Sequence, residues 1–188
     1  MENGQISFQG DINSTLDRYT KRGSLLAGEK REPVVRSAKK DQKLMIKSLI
    51  ITDTKQKAVL EFERSEEILI TIGFEVITEG QGFNVGIEVW NSQYECVFGS
   101  KLFDSNPVNL ETHQWDKGEY KYQISIPKDL LVSGVYSINA SATIPCKEML
   151  DVYPEELGFV VIDRTSPMFV TGEGRNGSVA PVICWDKV

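Results

Sequence analysis

The stretch EYKYQISIPKDLLVSGVYSINASATI, residues 119–144, constrains the fold more than any other part of the chain. In its first half Tyr120, Tyr122, Ile124 and Ile126 share one side while Glu119, Lys121, Gln123 and Ser125 share the other. That is the period-two pattern of a half-buried strand. In the second half Tyr136, Ile138, Ala140, Ala142 and Ile144 face a core, and Ser137, Asn139, Ser141 and Thr143 form the opposite surface. Pro127 and Gly134 hinge the two halves. A small, uncharged, hydrogen-bonding row suits a sheet that receives something polar, so the chain reads as an antiparallel β-protein that binds and is not an enzyme.

At 188 residues there is room for one medium domain plus an extension. Hydrophobic residues make up 40% and charged ones 26%, an ordinary globular composition, and no apolar run approaches the ~20 residues that span a bilayer. The opening MENGQISFQGD has no basic region followed by an apolar stretch, so nothing argues for export. Cys96, Cys146 and Cys184 are odd in number and lack metal-ligand spacing, which fits reduced thiols in a cytoplasmic protein. From Arg18 to Lys47 ten Lys and Arg stand against Glu29, Glu32 and Asp41, so the rest of the chain carries more than the whole net charge of −6. The basic segment can touch anionic lipid or nucleic acid, but without aromatic interleaving or a helical basic stripe it reads better as a solvated linker. An acidic body does not hold nucleic acid.

The chain divides into three. Residues 1–20 carry a short β-like piece, a Gly-Asp turn and then Ile12, Leu16 and Tyr19 on one helical face, too little to stand alone. Residues 21–42 lose periodicity and read as a flexible linker. Over 43–188 strand and turn signals alternate, which predicts an all-β, immunoglobulin-like or jelly-roll antiparallel sandwich with a short N-terminal extension. Strands are expected near 43–52, 57–63, 67–77, 83–90, 94–103, 119–126, 135–144, 157–163 and 179–187, with long loops at 104–118 and 145–156.

Four stretches carry a resemblance. SFQGDINSTLDRY looks like the last strand, turn and helix of an ABC-transporter nucleotide-binding domain. ISIPKDLLVSGVYSINASATI, with GFVVID and the terminal VAPVICWDKV, resembles the C-terminal domain of Wzt-like ATPases, which export bacterial polysaccharides such as O-antigen. The resemblance implies a carbohydrate-binding sandwich that recognises the completed, often capped end of a lipid-linked glycan at the inner face of the cytoplasmic membrane. It also implies a homodimer with an exchanged C-terminal strand and a permease partner reached through the nucleotide-binding domain. No G-x-x-x-x-G-K-[ST] loop occurs, so no cofactor is expected in this chain; ATP and Mg belong to that other domain.

Candidate binding residues follow from FNVGIEVW, 83–90, which sends Asn84, Gly86, Glu88 and Trp90 away from the core. An exposed indole stacks on a sugar ring, and an amide and a carboxylate fix hydroxyl orientation. Glu75, with Thr71 and Gly73, is expected on a neighbouring strand. Asn139, Ser141 and Thr143 extend the surface if their strand joins the same sheet. The competing reading is that Trp90 packs under a loop or a dimer partner. A sandwich that only dimerises or docks the ATPase, and a glycosidase, are the alternatives from other classes.

Other motifs carry less. Gly172–Gly177 matches G-x-G-x-x-G, but no helix is expected after it, so it reads as a turn with Arg175 and Asn176 at its tip. His113 is the single histidine and has no nucleophile beside it in sequence. Glu66-Glu67 and Glu155-Glu156 are read as solvated surface, not as a hydrolytic pair. The Asn-x-Ser/Thr matches at Asn13, Asn139 and Asn176 have no meaning without export.

Overall fold

The computed structural model describes residues 36–104, 112–154 and 157–187. The N-terminal piece expected at 1–20 and most of the linker at 21–42 therefore lie outside the described residues.

Apolar residues at every second position make most of the long strands two-faced, and the fold solves this by stacking two sheets. Strands β1 (Leu44–Thr52), β3 (Ile68–Val76) and β8 (Gly118–Ile126) form one, in the order β1-β3-β8. The other contains β2 (Glu61–Glu63), β11 (Leu157–Ile162), β9 (Gly134–Ile144), β5 (Asn84–Asn91) and β6 (Cys96–Lys101), in that spatial order, with β10 (Glu148–Val152) also on β9. A short ladder joins β4 (Gly80–Gln81) to β7 (Gln114–Trp115). All pairings are antiparallel except β2 with β11, which is parallel. The protein is an all-β sandwich.

Between the sheets Ile70, Ile72 and Phe74 of β3 meet Val85, Ile87 and Val89 of β5, Ile138 and Ala140 of β9, and Phe159 of β11. Removing each large apolar side chain from water stabilises by about 1.5–3 kcal/mol. The alternation of 119–144 holds in both halves, yet the halves do not pair: β8 zips to β3 with Tyr120 opposite Phe74, while β9 lies in the other sheet. Residues 127–133 thus cross between sheets. Because β8 is an edge, Tyr122 on its core side is still 38% exposed.

Five points differ from expectation. The strand read at 57–63 is only Glu61–Glu63, and the one at 94–103 ends at Lys101 in a 3-10 turn over Leu102–Asp104. The loop read at 145–156 contains β10, whose pairing slips between Met149 and Asp151, so a bulge broke the alternation that marks a strand. A helix not anticipated, α1 (Pro167–Thr171), starts at Ser166, whose Oγ accepts from Phe169 N, with Pro167 in the first turn, and ends at Gly172 with φ 72°. Finally, no strand forms over 179–187: Val179 makes one bridge to Leu131. Pro181 then offers no N–H to a ladder, and Val182, Ile183 and Trp185 stay exposed.

Candidate functional site

The outer face of the larger sheet gathers most of the predicted residues. On β5 and β9, Asn84 stands opposite Thr143, Gly86 opposite Ser141, Glu88 opposite Asn139 and Trp90 opposite Ser137. Strand β6 continues the face, with Lys101 across from Gly86 and Gly99 across from Glu88. Glu75 is not among them. Its strand β3 belongs to the other sheet, where Glu75 pairs with Lys47 at 2.7 Å, and Thr71 and Gly73 go with it. Alternation shows which residues share a face of one strand but not which strands become neighbours.

Burial refines the rest. Glu88, Asn139, Ser141 and Thr143 are half-buried, and Glu88 has no ion pair among the described residues. Asn84 is only 7% exposed, and its Oδ1 is enclosed without a partner. Trp90 is half-buried, with Nε1 shut away from solvent and unpaired, so it is not the freely exposed indole that alternation alone implied. Gly86 is not an open floor either. A Cβ there would meet the Ser100 carbonyl at 2.5 Å and the Lys101 stem, so the glycine serves close packing of β6. Lys101, which sequence reasoning missed, brings its ammonium to 3.4 Å from Ser141 Oγ. The face thus offers a carboxylate, amides, hydroxyls and one ammonium: acceptors and donors in alternation, suited to a polyhydroxylated ligand.

A second feature lies where β2, the segment around α1 and the C-terminal segment meet, a recess of 580 Å³. Arg64, 7% exposed, is its fixed wall. Its Nη1 donates to Asp129 Oδ1 at 2.8 Å, and Nη2 donates to the carbonyls of Asp129 at 2.8 Å and Ala180 at 2.9 Å. Opposite, Asp163 accepts from Ser166 Oγ at 2.6 Å and Ser166 N at 3.0 Å. Desolvation raises the Asp163 pKa, but the bonds from Ser166 and Thr165 and the charge of Arg64 outweigh it and hold the carboxyl below its ordinary value. Arg175 and Trp185 line the same recess and are exposed. Arg64, Asp129 and Asp163 stand in separate turns far apart in the chain, and nothing in the sequence marks them as neighbours.

Of the remaining motifs, Glu155-Glu156 and Asn13 lie outside the described residues, and others fall into place as structure. His113 packs edge-on against Phe103 and Trp115. Gly172 caps α1 and Gly177 turns at φ 82°, and no helix follows them among the described residues, so the glycine motif is a turn. Glu66 Oε2 accepts from Glu63 N within its own turn. Among the described residues no three His, Cys, Asp or Glu side chains gather as a metal site, and no helix is long and apolar enough to cross a membrane.

The fold is similar to that in a crystal structure of the C-terminal domain of Wzt, with a TM-score of 0.61 and 16% identity over 86% of this chain and 92% of that one. At that identity the likeness is one of fold. No known family pattern matches the sequence, and no curated protein matches it.

Proposed function

We propose that this chain is a non-catalytic glycan-binding domain of a polysaccharide ABC exporter, recognising the end of a lipid-linked glycan such as O-antigen. The observation that carries the reading is the paired row on β5 and β9, Glu88 with Asn139 and Gly86 with Ser141, flanked by Lys101. Sugars present adjacent hydroxyls that both donate and accept, and this row supplies both without a metal. The Wzt-like sandwich supports it. In this reading ATP and Mg2+ bind a separate nucleotide-binding domain, which also contacts the permease, and the work is done on the cytoplasmic side of the membrane.

Titration of the 188-residue chain with polysaccharide from the cells that encode it, followed by NMR, tests the reading. Shifts at Glu88, Asn139, Ser141 and Lys101 are expected, with a dissociation constant on the order of micromolar to millimolar, because each contact replaces a well-made bond to water. A folded protein whose spectrum stays unchanged at saturating glycan overturns it.

A second reading, dimerisation or docking of the transporter ATPase without glycan binding, is favoured by one observation. Val182, Ile183 and Trp185 are 76%, 68% and 94% exposed, an apolar segment with no cover among the described residues. Exchange of this segment between two copies would cover it. Light scattering that finds a dimer, together with no glycan response, selects this reading over the first.

A further inference from the structure

We propose that the recess between Arg64 and the C-terminal segment is a second saccharide site, which takes a neutral pyranose unit with Trp185 as its stacking platform. The inference deepens the glycan-binding reading and rests on it.

Size, charge and exposure each narrow the occupant. A space of 580 Å³ lies within the range of small-molecule sites and is ample for one or two sugar rings. Two guanidinium groups, Arg64 and Arg175, and two carboxylates, Asp129 and Asp163, line it, so the charges cancel and a strongly anionic ligand gains no net attraction. What remains is a set of fixed donors and acceptors. Asp129 uses Oδ1 on Arg64, which leaves Oδ2 to accept from a hydroxyl. Arg175 has no ion pair among the described residues and is exposed, so its guanidinium is available to donate in pairs to vicinal hydroxyls. Trp185 is 94% exposed at the same recess, a large apolar face left in water that the C–H face of a pyranose would cover.

The anchoring is already in place. Ala180 is held by its N–H to Leu130 O at 2.7 Å and by its carbonyl to Arg64, so the segment leaves the sandwich beside the recess. If residues beyond Pro181 exchange between copies into the same position, the recess is rebuilt with the same side chains.

The test is an NMR titration of the full chain with the methyl glycosides of glucose, galactose, mannose and N-acetylglucosamine, with glucuronic acid and inorganic phosphate as charged probes. Three tryptophans give three indole N–H signals, and Trp185→Phe assigns the one at issue. At least one neutral glycoside is expected to shift the Trp185 and Arg175 side-chain signals, with Trp185→Ala weakening the Arg175 response at least tenfold and Arg175→Ala weakening the Trp185 response by as much. Glu88→Gln is expected to leave it unchanged. No response to any neutral glycoside at about 100 mM, far above a millimolar dissociation constant, overturns the inference, as does a response to phosphate or glucuronate alone. If the recess is silent while polysaccharide still shifts Glu88 and Asn139, only this inference fails; if both are silent, the glycan-binding reading fails with it.

Discussion

Arg36 closes a two-pronged ion pair on Asp151, Nη1 to Oδ2 at 2.7 Å and Nη2 to Oδ1 at 2.8 Å, across 115 residues of sequence. Asp151 Oδ2 also accepts from Ile46 N at 2.7 Å, and Arg36 Nη1 donates to Ile46 O at 2.7 Å. One carboxylate thereby ties the end of the basic segment to β1 and to the bulge in β10. The hydrogen bonds to Asp151 raise the Arg36 pKa against the opposing effect of burial. Asp151→Ala leaves the guanidinium with only the Ile46 carbonyl and the Ile46 N–H without its carboxylate, and is expected to cost about 3–5 kcal/mol. Urea denaturation checks this, and an Arg36→Ala, Asp151→Ala double-mutant cycle should show strong coupling. Additive losses would mean that the two side chains act independently.

Tyr136 predicts an alkaline limit. Its hydroxyl lies 2.9 Å from Val132 O and 3.1 Å from Ser178 O. Desolvation raises its pKa to about 12, partly opposed by the bond to Val132. The folded state therefore holds the proton more tightly than the unfolded chain, whose tyrosine titrates near pH 10. This contribution is whole below about pH 10 and is lost as pH rises through about 12. Tyr136→Phe is expected to lower stability at pH 7 by about 0.5–1.5 kcal/mol and to flatten the fall between pH 10 and 12. An unchanged alkaline unfolding curve would show that another group sets the limit.

On the outer face of the larger sheet, Glu88→Gln and Asn139→Ala are expected to weaken polysaccharide binding severalfold while stability stays within about 0.5 kcal/mol, since both are half-buried polar groups on the solvent side. Trp90→Ala behaves differently. Its half-buried indole, with Nε1 enclosed, makes the change a cavity-forming one, costing about 2–4 kcal/mol, so any loss of binding there is accompanied by a loss of fold stability. Thermal melts beside the titrations separate the two effects. A Trp90→Ala protein that melts like the parent would show that the indole is not packed.

The C-terminal segment divides at Pro181. Removal of residues 182–188 is expected to leave the melting temperature almost unchanged, because the large side chains there are exposed. Removal from Val179 onward takes away the Ala180 bonds to Leu130 and Arg64 and the bridge to Leu131, and is expected to cost about 2–4 kcal/mol. Calorimetry distinguishes the two truncations. If the dimer forms through this segment, light scattering also reports a monomer for the shorter truncation.

How much of this was legible beforehand depends on the range of the interaction involved. The period-two pattern of 119–144 correctly gives two strands and the face of every residue in them, because side-chain direction in a strand is a property of the local backbone. The bounds of α1 are equally local signals, with Ser166 before Pro167 and Gly172 after Thr171. Strand β10 carries no such signal, because the bulge between Met149 and Asp151 erases its alternation.

By itself the sequence determined the two-faced strands, the sandwich class and the polar row Ser137, Asn139, Ser141, Thr143, since each is read from local alternation and the turn signals between strands. Only the tertiary structure decided that β9 lies beside β5 while β3 does not, which keeps Glu88 with Asn139 and sends Glu75 to the other sheet. It alone brought Arg64, Asp129 and Asp163 around one recess with Trp185. Strand neighbours are chosen by the packing of whole sheets and by chain crossings over dozens of residues, and no local periodicity records that choice.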